Sequence, residues 1–306
     1  MKTNVNLAAV NRHKEAIDYL DDDHLHDADR EFQFSESDFK TLVQLARTHT
    51  GIVLADSKRN LVYSRVSRRL RALHLSSFRD YLKYLESPDG NKEIESFINS
   101  ISTNLTKLFR ESHHFDHLRS DVAIAFARSE QKKPGGRLRI WSAGCSTGEE
   151  PYTIALVLKR ELPDIARRDV KILATDIDTE VLSKAARGQY PAEALENVPP
   201  IYRNLVQPKG DRSDSDFVTM DESLRSLISF RQLNLMESWP MRGLFDAIFC
   251  RNVMIYFDNP TKAALVKRYT SQLKPNGFLY IGHSESLLGS HPDLQLMGRT
   301  IYRRIG

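Results

Sequence analysis

Apolar residues recur at helical spacing from residue 35 onward. Phe39, Leu42, Val43 and Ala46 share one face behind the start signal Ser35, Glu36 and Asp38, and Gly51 closes the segment. A second helix is predicted over about 57–74, with Val62, Val66, Leu70 and Leu73 on one face. On another face Lys58, Arg65 and Arg69 form a narrow stripe, with Arg68 and Arg71 further round. A third helix, 77–86, ends at the turn signal Ser87-Pro88-Asp89-Gly90, and 93–130 reads as helix, loop and helix. Ahead of these, residues 1–33 show no sustained period and are expected to form a flexible tail.

The texture changes behind Lys132-Lys133-Pro134-Gly135-Gly136. A strand over 137–141 runs into the small-residue loop 142–148, and Glu149-Glu150-Pro151 opens a helix, where proline suits the first turn and the acids suit the positive dipole end. A second strand, 170–174, ends in Thr175-Asp176-Ile177-Asp178 before a helix over 179–187. This alternation predicts a parallel sheet wound with helices. Residues 188–235 interrupt it and read as an inserted antiparallel piece with strand candidates 217–220 and 227–233. The winding resumes with strand 244–250, helix 260–273, a turn over 273–277, strand 278–281 and a last strand near 295–303. The expected organisation is an acidic tail (1–33), a basic all-helical domain (34–90), linker helices (91–136) and an α/β domain (137–306) with an insertion at about 188–235.

Composition supports this picture. With 306 residues, 41% hydrophobic and 27% charged, the chain is neither disordered nor collagen-like, and its length suits two domains. No apolar run approaches the ~18 residues of a membrane span, so no membrane insertion is expected, and the start lacks an apolar region long enough for a signal peptide. Two cysteines, Cys145 and Cys250, cannot build a disulfide framework, which points to a reducing cytoplasm. The net charge of +4 is mild but uneven. Residues 15–31 are crowded with Asp and Glu, and residues 58–79 carry Lys and Arg with no acid. The acidic run is expected to be solvated chain.

In wound sheets ligands bind beyond the carboxyl ends of the strands. There the sequence places the Gly144/Gly148 loop, Asp176, Asn234, Leu235, Arg251 and Asn252. A glycine loop with an acid after the second strand is a nucleoside-binding layout. The dinucleotide fingerprint is absent, and a pyrophosphate would face Glu149 and Glu150. A cationic nucleoside without phosphate, S-adenosylmethionine, fits better, so the chemistry favours a methyltransferase over a dehydrogenase. The plainer alternatives are a simple strand–helix turn for the loop and a helix N-cap for Asp176.

The blocks ISTNLTKLFRESHHF, WSAGCSTGEEPYTIAL, ILATDIDTEVLSKAARGQY, FDAIFCRNVMIYFD and LKPNGFLYIGHSESL, in that order, resemble the CheR-type chemotaxis receptor methyltransferases over about 35–290. The resemblance implies a Rossmann-like sheet behind a helical domain, S-adenosylmethionine as cofactor with S-adenosylhomocysteine as product, and methyl transfer to glutamate side chains on cytoplasmic chemoreceptor helices. It implies cofactor contacts at Asn104, Thr106, Arg110, Glu150, Asp176, Asn234, Leu235, Arg251 and Asn252, beside Gly144 from the glycine loop, and a reaction centre at Arg110 and Tyr256. Lys58, Arg65, Arg68 and Arg69 would meet the acidic receptor helix, and the insertion could dock a receptor C-terminal tether peptide. Plainer roles stand beside these: Arg110 as a surface ion-pair partner, Tyr256 as a sheet-end aromatic, His283 as structural, the cysteines as small hydrophobes. No metal is expected at His113-His114, nor any nucleic-acid partner, and the chain is expected to be a monomer. The rival readings are a nucleic-acid methyltransferase, for which 58–79 offers only Tyr63 and Phe78 as stacking aromatics, and a non-catalytic cofactor-sensing adaptor.

Overall fold

The computed structural model describes residues 30–132, 135–206, 216–287 and 291–306. Most of the expected flexible tail, 1–29, lies outside the described residues. The chain divides into two compact units, one formed by the chain up to Thr48 with Leu54–Ile101, the other by His49–Val53 with Ser102–Gly306.

The first unit holds α1 (Glu36–Thr50), α2 (Arg59–Ala72), α3 (Phe78–Glu86) and α4 (Asn91–Ile101). Ser35 and Asp38 cap α1 reciprocally: the Asp38 N–H donates to Ser35 Oγ at 3.1 Å and the Ser35 N–H to Asp38 Oδ2 at 2.9 Å. Phe39, Leu42, Val62, Val66, Leu70 and Phe97 make its core, so the apolar faces expected of α1 and α2 are the buried ones. Residues 30–33, expected to belong to the flexible tail, are tied to the helical unit with Phe34. Arg30 bonds Asn60 at 2.6 Å, Glu31 pairs with Arg71 at 2.7 Å, and Phe34 packs on Phe78 with ring centroids 4.3 Å apart.

In the second unit α5 (His113–His117) continues through a π-helical turn (Leu118–Ala123) into α6 (Ile124–Lys132). There follow β1 (Arg137–Ala143), α7 (Glu149–Glu161), β2 (Asp169–Asp176), α8 (Thr179–Arg187), β3 (Gln189–Pro191), α9 (Pro200–Val206), β4 (Phe217–Thr219), α10 (Glu222–Arg225), β5 (Ile228–Gln232), β6 (Phe245–Cys250), α11 (Asn259–Gln272), β7 (Leu273–Ile281), β8 (Leu294–Gly298) and β9 (Ile301–Arg304). The main sheet runs β5-β2-β1-β6-β7-β9-β8, parallel from β5 to β7 and closed by an antiparallel hairpin. Alternation along β1 sends Leu138 and Ile140 to one core and Trp141 and Ala143 to the other, as both faces of a wound sheet require.

Three expectations change. Residues 227–233 do not belong to the insertion: β5 pairs in parallel with β2, Ile172 opposite Ile228, and the antiparallel piece is β3 with β4. The single strand near 295–303 is a hairpin, turned by Arg299 and Thr300, which both take positive φ. The turn at 273–277 lies inside β7 as a bulge, where pairing with β6 jumps from Leu273 to Phe278.

Candidate functional site

The carboxyl ends of β1 and β2 are tied together by their loops. The Gly144 and Cys145 N–H groups both donate to the Thr175 carbonyl, at 2.8 and 2.9 Å. Gly144 has φ +82°, and a Cβ there would meet Val253 Cγ2 at 2.3 Å, so conformation and space both call for glycine. The Ser146 N–H donates to Asp176 Oδ2 at 2.8 Å, and the Asp178 N–H to Asp176 Oδ1 at 3.0 Å. Asp178, not Asp176, caps α8, accepting from the Glu180 and Val181 N–H groups. Asp176 is buried, and burial pushes its carboxyl up to about 6 against those two backbone donors. Asn104 joins this cluster: its Nδ2 donates to Asp178 Oδ2 at 2.8 Å, and Ser146 Oγ donates to its carbonyl at 2.8 Å.

The second cluster bridges β1 and β6, where strand order reverses. Arg251, 2% exposed, donates from Nη1 to Glu150 Oε2 at 3.0 Å and stands 3.4 Å from Glu111 Oε2. Its Nη2 also donates to the Arg110 carbonyl, and its guanidinium lies over the Phe115 ring. Ser142 Oγ donates to Glu150 Oε1 at 2.7 Å; burial raises the pKa of Glu150, with Arg251 and Ser142 pulling it back. Burial also works against the charge of Glu111, but its bond to His283 (Nδ1 to Oε1, 3.0 Å) and the Arg251 charge together hold it at about 2. Glu285 is buried and accepts from three backbone N–H groups, Asn252 (2.9 Å), Ile255 (3.1 Å) and Gly282 (2.6 Å). It thereby fixes the turn in which Asn252 takes φ +59°.

The other sequence candidates are distributed as follows. Arg110 Nη1 donates to the Leu105 carbonyl at 2.9 Å, and Thr106 lies half-buried in the same loop. Asn234 Nδ2 donates to the His49 carbonyl at 2.6 Å, and Leu235 is buried in the core beside β6. Tyr256 is half-buried, and its carbonyl accepts from the Val53 N–H at 2.8 Å. The segment His49–Val53 is thus held at the ends of both β5 and β6. The cysteines are buried, and burial pushes both thiols well up. His283 is not a core residue; its side chain is 71% exposed.

The basic stripe needs correction at one position. Arg69 does not stand open with Lys58 and Arg68, which are exposed. It turns inward to Glu93 in a bidentate pair (2.9 and 2.8 Å), and Tyr81 Oη donates to the same carboxylate at 2.8 Å. Arg65 Nη1 donates to the Ile101 carbonyl at 2.9 Å.

Sequence reasoning passed over Glu111, Asp178 and Glu285, although each lies inside one of the quoted blocks. An acid beside a site arginine or after a strand was the available signal. The assembled groups fit a cationic nucleoside: Asp176 has acceptor capacity for a ribose, and Glu111 and Glu150 outnumber Arg251. Arg251 Nε and Glu111 Oε2 are buried with no hydrogen-bond partner within the protein.

Comparison with known proteins agrees. The family model "CheR methyltransferase, SAM binding domain" matches residues 104–303, and "CheR methyltransferase, all-alpha domain" matches 37–102. Chemotaxis protein methyltransferase 2 of Pseudomonas aeruginosa is 43% identical over 274 residues, 89% of this chain and 95% of its own. The chemotaxis protein methyltransferase of Escherichia coli is 43% identical over 269 residues, 88% of this chain and 91% of its own. The S-adenosylmethionine-bound amino pentose methyltransferase CalS10 of Micromonospora echinaspora aligns over 59% of this chain and 58% of its own, at 16% identity and TM-score 0.29. Two domain matches covering nearly all of the described chain, and relatives of this identity, show that the chain belongs to the CheR methyltransferases, a family whose cofactor is S-adenosylmethionine.

Proposed function

We propose that this methyltransferase esterifies glutamate side chains on the cytoplasmic helices of chemoreceptors, in chemotactic adaptation. The observation that carries the reading is the pair of clusters at the strand ends, Asn104–Ser146–Asp176 and Glu111–Arg251–Glu150, on a chain similar to chemotaxis methyltransferases. When bound, S-adenosylmethionine supplies a methyl group activated by its sulfonium.

The acceptor carboxylate, with an ordinary pKa of ~4.3, is ionised at neutral pH, so the protein needs no general base. Its remaining tasks are alignment and exclusion of water. Asp176 accepts from the ribose hydroxyls, while Asn104, Thr106, Gly144, Asn234, Leu235 and Asn252 shape the nucleoside and methionine pockets. Arg110, or the Tyr256 hydroxyl, steadies the acceptor carboxylate as it sheds water to attack. With the donor bound, transfer would form the acceptor oxygen–methyl bond at the expense of the donor's carbon–sulfur bond, so the protein's own residues need move no proton.

Lys58 and Arg68 attract the acidic receptor helix. Tyr63, one of two aromatics available for base stacking beside these residues, is buried in the helical core, which speaks against a nucleic-acid substrate. The β3–β4 pair, with Phe217 58% exposed, supports docking of a receptor C-terminal peptide by strand addition. Among the described residues no helix is long and apolar enough to cross a membrane, and the working unit is taken as a monomer in the cytoplasm.

The test is a radiolabelled methyl-transfer assay offering receptor cytoplasmic fragment, with and without its C-terminal peptide, beside total RNA. Label on the receptor that mild base releases, as from a methyl ester, is expected. Base-stable label on RNA would overturn the reading, and binding of S-adenosylmethionine without transfer to either would favour an adaptor.

A further inference from the structure

Arg251 is a buried guanidinium at the crevice between β1 and β6. Alone it would repel a sulfonium. Glu150 faces it from α7 at 3.0 Å and Glu111 from the other side at 3.4 Å. The resemblance assigns Glu111 no role, yet its placement is tightly specified. Its backbone takes φ +56°, beside Phe109 at φ +54°, a conformation that non-glycine residues seldom adopt. Its Oε1 takes His283 Nδ1 at 3.0 Å and Asn252 Nδ2 at 3.5 Å, and its Oε2 faces Arg251 and His114 Nδ1 (3.5 Å). Burial lowers the pKa of His114 to about 3, with the Arg251 and His113 charges adding to the effect, so His114 adds no charge near neutrality.

We propose that Glu111 is a charge-selecting positioning residue. It holds Arg251 and Asn252 in place, and its negative charge biases the site toward S-adenosylmethionine, which carries a sulfonium, over S-adenosylhomocysteine, which does not. The inference rests on the cofactor lying beside Arg251 and Asn252. Glu150 faces the same guanidinium, but removing the Glu111 charge shifts the site by one unit whatever the state of Glu150.

The experiment measures, by calorimetry on the full chain, the affinities of S-adenosylmethionine, of sinefungin (an analogue with an amine at the sulfonium position) and of S-adenosylhomocysteine. In Glu111→Gln the two cationic ligands should each lose roughly three- to tenfold relative to S-adenosylhomocysteine, the size expected for one charge at about 10 Å in a partly screened site. Glu111→Asp, which keeps the charge, should restore most of the ratio. Because Glu111→Gln could unfold the site, His283→Lys provides a second arm. It places a permanent cation on Glu111 from an exposed position and should move the ratio in the same direction. An equal loss for all three ligands, or an unchanged ratio in both variants, would reduce Glu111 to a structural prop and overturn the proposal. Failure of the unaltered protein to bind any of the three would instead overturn the cofactor placement on which it rests.

Discussion

Asp176 shows how one side chain serves two ends that pull apart. Burial raises its pKa from 3.8 to about 6, so its contribution to folding is full below about 3.8 and is lost as pH rises through about 6. At neutral pH the fold carries a buried carboxylate that only a ligand or backbone donors can satisfy. The two N–H groups of Ser146 and Asp178 occupy one lone pair on each oxygen, leaving acceptor capacity for a ribose. S-adenosylmethionine affinity should therefore fall as pH drops through about 6. Asp176→Ala should bind roughly tenfold or more weakly, from a loss of about 1.5–3 kcal/mol, and lose that pH dependence. Calorimetry between pH 5.5 and 7.5 checks both, and unchanged affinity in the variant would confine Asp176 to bracing its loop. Asp176, Gly144 and Arg251 were legible in the sequence because each follows its own strand, so local pattern finds them. Glu111 was not, because its meaning depends on His283, 172 residues away, and on Arg251, and no local period encodes that meeting.

Among the elements, α2 carries the sharpest lesson. Helical periodicity separates its faces correctly, with Val62, Val66 and Leu70 buried, but a wheel cannot tell which basic residue finds a buried partner on a later helix. Arg69 does, pairing with Glu93 of α4, which is 5% exposed. Reversing Arg69 would leave two carboxylates facing each other in a poorly solvated spot. Arg69→Glu should lower the stability of the helical unit by about 3–5 kcal/mol in denaturant unfolding, whereas Lys58→Glu should stay within about 0.5 kcal/mol. Equal stabilities would mean that the Arg69–Glu93 pair does not hold α2 to α4. The strands follow the same logic. β1, β2 and β6 were legible as apolar runs between turn signals. β5 was legible as a strand but not as part of this sheet, because it is an edge strand whose residues after Ile228 are largely outward-facing, and only its partner β2 reveals which sheet it joins. The β8–β9 turn is marked in the sequence only by Gly298, at φ +132°, while its central residues Arg299 and Thr300 are neither glycine nor proline, so the signal was weak there.

At the scale of the whole molecule the two units divide the work by charge. The 44 basic and 40 acidic residues nearly balance, but the acids at the cofactor site sit in the α/β unit, and the exposed cations of α2 and its approach sit in the other. Much of that helical unit's positive charge is already met internally: Arg59 pairs with Glu36, Arg69 with Glu93 and Arg71 with Glu31. On the proposed reading, Lys58 and Arg68, both exposed, contribute to the attraction of an acidic receptor helix. The double variant Lys58→Glu/Arg68→Glu should raise the KM for receptor fragment about three- to tenfold and leave S-adenosylmethionine affinity unchanged, because the two residues belong to the helical unit. The penalty should shrink as salt rises, since exposed charges are screened over ~8–10 Å near physiological ionic strength. Steady-state kinetics at 0.05 and 0.5 M salt, beside calorimetry of the cofactor, separates the outcomes. A KM that does not move would place the receptor elsewhere on the protein. A KM that moves equally at both salts would assign Lys58 and Arg68 a contact role rather than long-range attraction. A fall in cofactor affinity would show that the two substitutions disturb more than the attraction of the receptor.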